Sequence, residues 1–136
     1  MDIVAALVLS TSQQLPAPQW IWAPGSSIPK HVYFRRDIEL TKLPNKASLS
    51  ITCDDAYVLY VNGQKLASHA SWYTMQNVDL KPWLRIGKNV LAVDAQNYES
   101  EAGLLVKGAV GSSSISTDSL WKQNQDGPSG WNMPDY

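Results

Sequence analysis

The feature that most constrains this chain is a period-two alternation of apolar and polar residues, repeated in short runs and broken by tight-turn signals. Val32, Phe34, Ile38 and Leu40 alternate with Tyr33, Arg35, Asp37 and Glu39, and Arg36 interrupts the apolar face. Ala47, Leu49, Ile51 and Cys53 alternate with Ser48, Ser50 and Thr52. That pattern marks a strand with one face on a core and a hydroxyl-bearing face outward. Residues 57–61 form a third run, closed by Asn62-Gly63, the residue pair best suited to a two-residue hairpin. Residues 64–68 return from that turn, Gly87-Lys88-Asn89 leads into residues 90–94, and residues 104–110 follow a polar loop. Apart from a single turn over residues 80–84, interrupted by Pro82, no window longer than about ten residues carries a helical period. Many short strands punctuated by Gly, Pro and Asn predict an all-β chain folded as a β-sandwich of the jelly-roll kind.

A length of 136 residues suits one domain. Residues 1–18 read as a leader or linker segment and residues 19–136 as the single domain. The apolar run at residues 3–9 is too short to cross a bilayer, and Asp2 stands where a basic n-region would precede a secretory core. Eleven basic against twelve acidic residues give a net charge of -1, which excludes binding driven by bulk positive charge and so argues against nucleic acid. No stretch suggests a membrane partner. The one cysteine, Cys53, excludes an internal disulfide and a cysteine metal cage. Its register with Leu49 and Ile51 predicts a small buried hydrophobe rather than a nucleophile. His31 and His69 lack metal-ligand spacing, and neither a Gly-x-Ser-x-Gly elbow nor a Gly-rich phosphate loop is present.

Six Trp and six Tyr against a single Phe is a lopsided aromatic set. Trp20, Trp22, Trp83, Trp121 and Trp131 flank core-patterned segments and are expected to pack. The tail from Gly111, rich in Ser and Gly but carrying Trp121 and Trp131, reads as an ordered irregular wrap. Arg36, on the apolar face of its strand, is expected to pair with Asp94, which also breaks an apolar face.

Sequential antiparallel strands alternate in direction, so their loops fall alternately at the two ends of a sandwich. One end takes the plain turns around residues 41–46, 62–63 and 87–89. The other takes residues 24–31, 53–56, 68–77 and 96–103, with His31, Asp54, Asp55, His69, Trp72, Tyr73, Asn97, Tyr98, Glu99 and Glu101. Aromatic faces stack on the C–H faces of a pyranose while carboxylates and amides meet its hydroxyls, so this rim suits a sugar. The candidate carbohydrate-binding residues are Trp72, Tyr73, Asn97, Tyr98, Glu99 and His31. Asp54, Asp55 and Glu101 are candidate calcium ligands, since a hard cation takes about six to eight oxygens. Each group has a plainer reading beside this one. One of the paired Asp residues could cap a turn with the other solvated, Trp72-Tyr73 could close the core as a lid, and the glutamates could simply be solvated.

Several fragments, taken in order, carry a resemblance: Trp20-Ile21-Trp22-Ala23-Pro24-Gly25, Val32-Tyr33-Phe34-Arg35-Arg36, Cys53-Asp54-Asp55-Ala56-Tyr57-Val58-Leu59-Tyr60-Val61-Asn62-Gly63, Gly87-Lys88-Asn89-Val90-Leu91-Ala92-Val93, Ala102-Gly103-Leu104-Leu105, and Thr117-Asp118 before Trp121-Lys122. Together they resemble the galactose-binding-like jelly-roll modules found beside bacterial α-L-rhamnosidases and related polysaccharide-degrading enzymes. The similarity runs over roughly residues 20–131, and the stretch from Asp54 to Gly63 is its most specific part. It implies a secreted, non-catalytic carbohydrate-binding module, some of whose relatives use calcium, with a polysaccharide and a neighbouring catalytic domain as partners. Two other readings stand beside it. One is an accessory domain that packs against a glycoside hydrolase and binds no sugar; the other is a small hydrolase with two facing carboxylates.

Overall fold

The computed structural model describes residues 18–23, 31–71, 73–98 and 102–136. The expected leader, residues 1–18, therefore lies outside the described residues except for Pro18. Nine strands follow one another: β1 (His31–Leu40), β2 (Ala47–Asp54), β3 (Ala56–Val61), β4 (Gln64–His69), β5 (Gln76–Asp79), β6 (Gly87–Gln96), β7 (Gly103–Val110), β8 (Ser113–Ser116) and β9 (Lys122–Asn124). They form two antiparallel sheets, one in the order β4-β3-β6-β1-β9 and the other β5-β2-β7-β8. The architecture is the expected all-β sandwich. The turn anticipated around Pro82 is a 3-10 turn, Lys81–Trp83.

The alternation of the sequence becomes the inside and outside of the sandwich. Val32 and Phe34 of β1, Leu91, Val93 and Ala95 of β6, and Tyr57, Leu59 and Val61 of β3 point inward from the first sheet. Leu49, Ile51 and Cys53 of β2, with Leu104 and Val106 of β7, meet them from the second. Gly108 lies opposite Leu49 in the ladder, and a Cβ there would fall 2.3 Å from the Ser48 carbonyl oxygen and 2.7 Å from Leu49 Cα. Only a residue without a side chain allows that approach.

The hairpin at Asn62-Gly63 has φ of 50° and 85°, the left-handed pair that a type I′ turn requires. Asn62 also works beyond its turn. Its Oδ1 accepts the Val90 amide (2.9 Å), and its Nδ2 donates to Asn89 Oδ1 (2.8 Å) and to the Trp83 carbonyl (3.1 Å). The fully buried Asn89 in turn accepts the Arg85 amide and donates to the Arg85 carbonyl, so amide pairs staple this end of the molecule.

The tail wraps as expected, and the structure shows how. After β9 pairs with β1 at the sheet edge, residues 125–136 cross the outer face of the first sheet. Trp131 packs edge-on against Tyr33 of β1 (4.9 Å between centroids) and against Tyr60 of β3 (5.8 Å). Arg35 rises from β1 beneath this strap and donates Nη1 to the carbonyls of Trp131 (2.7 Å) and Met133 (3.0 Å). Its Nη2 donates to Asp37 Oδ1 (3.2 Å), and its guanidinium lies 5.4 Å from the Tyr136 ring. Strand β6 is consequently buried on both faces: Val90 and Ala92 point outward yet have no exposed surface.

Two expectations fail for identifiable reasons. Arg36 does not pair with Asp94. Arg36 lies opposite Leu91 on the inner face of the first sheet, whereas Asp94 lies opposite Tyr33 on the outer face, so the two side chains leave opposite sides of the sheet. Arg36 Nη1 donates instead to the Asp37 carbonyl, and Asp94 Oδ1 lies 2.8 Å from His31 Nδ1. Trp20 and Trp83 are also not core residues, with 49% and 43% of their surface exposed. Trp22 packs on the core beside Phe34, and Trp121 is buried with its indole donating to the Ser116 carbonyl.

Arg35→Ala removes the cation that anchors the strap by charge-assisted hydrogen bonds. Chemical denaturation should show a loss of about 2–4 kcal/mol, and the fluorescence of the uncovered Trp131 should move to the red.

Candidate functional site

The registers of the first sheet decide which loops meet. His31 at the start of β1 faces Gln96 at the end of β6, and Gln96 also faces Ala56 at the start of β3. His69 at the end of β4 faces Tyr57. In the second sheet Asp54, the last residue of β2, faces Gly103, the first of β7. The strand ends that carry the candidate residues therefore share one end of the sandwich, while Asn62-Gly63 and Gly87 lie at the other.

One junction on this rim is explicit. Between β2 and β3 the chain spends only Asp55, whose amide donates to the Gln96 carbonyl (2.8 Å). The Asp55 carboxylate then accepts the Tyr98 amide through Oδ2 at 2.6 Å, and the Tyr98 hydroxyl donates to Gln96 Oε1 at 2.7 Å. This aspartate takes the turn-capping role that the plainer reading gave to one of the pair. It also holds Tyr98 out from the rim, 67% exposed, next to its own carboxylate.

The remaining candidates divide by burial. Tyr73 is 77% exposed in the loop between β4 and β5, a loop tied to β2 by the Thr52 hydroxyl donating to the Ser71 carbonyl (3.2 Å). Asn97 is 3% exposed, so its side chain belongs to the wall behind the rim rather than to its open surface. His31 is partly exposed but turns to the outer face, where it pairs with Asp94 and stacks on Tyr33 with ring centroids 5.9 Å apart. Trp72, Glu99 and Glu101 lie outside the described residues. For calcium, the described donors amount to Asp54 and Asp55, the latter already holding Tyr98. Among the described residues no group of three His, Cys, Asp or Glu could hold a metal ion.

Directly inside the rim, Cys53 is buried and unoxidised, as its register predicted. Burial pushes its thiol up to about 12, against a hydrogen bond from the Gln96 backbone and with added repulsion from Asp54, Asp55 and Asp94. Burial also pushes the Tyr57 phenol up to about 12, with a smaller contribution from Cys53. A thiol held protonated this firmly is no nucleophile.

What sequence reasoning missed is the outer-face cluster of His31, Tyr33, Asp94, Arg35 and Trp131. Its members come from distant parts of the chain, as the bond from Arg35 to the Trp131 carbonyl, 96 residues away, shows. The signal available was Arg35 itself, a cation alternating outward on a strand opposite a tail that ends in Trp and Tyr.

No protein-family model matches the chain. The α-L-rhamnosidase of Streptomyces avermitilis is 30% identical over an alignment 151 positions long, which covers 98% of this chain but 15% of that enzyme. The crystal structure of the Streptomyces avermitilis α-L-rhamnosidase complexed with L-rhamnose superposes with a TM-score of 0.79 at 29% identity, covering 88% of this chain and 13% of that one. The lectin of Pleurotus ostreatus in complex with GalNAc gives a TM-score of 0.76 at 29% identity, covering 86% of this chain and 37% of the lectin. A rhamnosidase of Bacillus sp. GL1 gives 0.69 at 25% identity, covering 80% of this chain and 13% of that one. The chain is thus similar to one small β-sandwich module within larger rhamnosidases, and to part of a lectin. The resemblance drawn from the sequence holds, and the chain spans about a seventh of the curated relative that it matches.

The two raised pKa values have a pH consequence. Both groups bind their protons more tightly folded than unfolded, so their contribution to stability is complete below the ordinary values of 9.0 for Cys53 and 10.0 for Tyr57. It is lost as pH climbs from there toward about 12. Thermal melts should therefore fall steadily above pH 9.0, and a thiol reagent should label Cys53 only when the chain unfolds.

Proposed function

We propose that this chain is a non-catalytic carbohydrate-binding module that takes a terminal sugar of a plant or microbial polysaccharide at the rim. The observation that carries the reading is the Asp55–Tyr98 junction. It joins the β2–β3 corner to the loop after β6 and leaves Tyr98 exposed beside the Asp55 carboxylate. Tyr73, from the neighbouring loop, offers a second exposed ring at the same end. In this arrangement Tyr98, Tyr73 and Trp72 supply faces for the apolar side of a pyranose. Asp54 and Glu99 meet hydroxyls, Asn97 backs them from behind the rim, and His31 stands at the margin. The similarity to a rhamnosidase complexed with L-rhamnose and to a lectin in complex with GalNAc supports the ligand class. It also nominates those two sugars as the first to try.

Calcium enters the reading as a bridge that Asp54, Asp55 and Glu101 would complete with sugar or backbone oxygens. An extracellular location goes with it, because polymeric glycans lie outside the cell. A second reading, docking against a glycoside hydrolase catalytic domain, is favoured by the opposite end of the molecule. There Leu43, Trp83 and Ile86 are exposed around the Asn62–Asn89 staple. The two readings use different ends and are compatible.

Calorimetric titration with L-rhamnose, N-acetylgalactosamine and galactose, with calcium and with a chelator, tests the main reading. Dissociation constants of about 1 μM to 1 mM are expected for at least one sugar. Tyr98→Ala and Trp72→Ala should each weaken binding about tenfold, a loss of roughly 1.4 kcal/mol, without lowering the melting temperature. Heat-silent titrations for every sugar in both conditions would leave docking as the function.

A further inference from the structure

The C-terminal strap encloses a concave surface on the outer face of the first sheet, adjoining the rim only where His31 stacks on Tyr33. A groove of about 290 Å³ runs over the outer face of β1, lined by β9, Asp126 and Pro128 and by the rings of Trp131 and Tyr136. That volume is close to the lower end of the roughly 300–1,000 Å³ typical of small-ligand sites. The groove does not need a ligand to hold its shape. Strands form its floor, and Arg35 clamps the aromatic wall through the Trp131 and Met133 carbonyls.

Its chemistry is graded from end to end by register. Tyr33 faces Asn124 across the β1–β9 ladder, and Asp126 follows next to them. Asn124 Oδ1 accepts the Asp126 amide (3.0 Å), leaving its NH2 with no partner among the described residues. Burial, then Asp94 and Asp126, hold the Tyr33 phenol above its usual range, so its O–H stays a neutral donor at the groove base. This end offers a phenol, an amide and a carboxylate, the groups that read sugar hydroxyls.

The other end is cationic. Lys122 faces Arg35, and Lys88 faces Glu39 on the far side of β1. The Arg35 charge is spent on Asp37 and the strap. Among the described residues, neither Lys88 nor Lys122 has a carboxylate within ion-pair distance, even though Glu39 stands opposite Lys88 in the ladder. Two uncommitted ammonium groups in a groove, on a chain of net charge -1, are a local concentration of positive charge.

We propose that this strap groove is a second saccharide site, selective for a sugar that carries a carboxylate. The sugar hydroxyls sit at Tyr33, Asn124 and Asp126, its ring lies along the Trp131 and Tyr136 wall, and its carboxylate meets Lys122 and Lys88. The inference shares the ligand class with the rim reading but none of its residues.

Nitrogen–proton correlation spectra of the full chain, titrated with methyl glucuronide and in parallel with methyl glucoside, separate the two surfaces. Methyl glucuronide should shift the Trp131 indole and Asn124 side-chain signals with saturation, and the neutral glycoside should shift them far less. The Lys88→Gln/Lys122→Gln variant, whose spectrum should otherwise match the parent, should weaken glucuronide binding at least about tenfold. Tyr98→Ala should leave it unchanged. Equal shifts from both glycosides, full affinity in the lysine variant, or still signals at Trp131 and Asn124 would each overturn the site. Shifts confined to Tyr98 would overturn it while upholding the rim, whereas glucuronide shifts at Trp131 with a silent rim would uphold it alone.

Discussion

The antiparallel ladder between β1 and β6 is the constraint on which the rest of the molecule depends. Ten residue pairs, from His31 opposite Gln96 to Leu40 opposite Gly87, lock two long strands into one register. A slip of one residue would turn every apolar side chain of β1 to the outer face. The same register carries Gln96 to Ala56 and so brings the β2–β3 corner beside the loop after β6. The rim is therefore a consequence of strand pairing at the centre of the sheet. Asp55 and Tyr98 meet because the registers on both sides of β6 bring these strand ends together.

The strap applies the same economy to the opposite face of that sheet. An antiparallel sheet in a sandwich commonly leaves one side to water. Here the row of Arg35, Ala92 and Tyr60 lies under Trp131 instead, and β6 becomes a strand buried on both faces. A single guanidinium saturates carbonyls that an irregular tail would otherwise leave unpaired over an apolar surface. Covering the sheet in this way also creates the walls of the groove, so stability and a candidate binding surface arise from one interaction.

Much of this was legible in the residues. Period-two runs located β1 and β2, while turn signals and apolar runs bounded β3, β4, β6 and β7 and Asn62-Gly63 marked its hairpin, because those elements follow from local pattern and turn chemistry. Strands β5, β8 and β9 were not legible. They are three or four residues long and mostly polar, and each owes its conformation to a neighbour already in place, as Lys122–Asn124 does to Tyr33, Phe34 and Arg35. The expected Arg36–Asp94 pair failed through parity across a ladder, which a single strand read alone does not reveal. The candidate site was legible in part. Direction alternation gathered Asp54, Asp55, Tyr73 and Tyr98 at one end, but the burial of Asn97 and the outward turn of His31 toward Asp94 depend on packing from distant segments. The outer-face cluster was hidden for the same reason, since nothing local ties Arg35 to Trp131.

The central claim is that the rim set by the β1–β6 register receives a sugar. A crystal structure of the chain soaked with L-rhamnose and N-acetylgalactosamine in the presence of calcium tests it most directly. The account predicts a pyranose ring lying against Tyr98, with oxygens in reach of Asp54 or Asp55. Clear sugar density elsewhere with this end bare, or saturating soaks that leave no sugar on the protein at all, would contradict it.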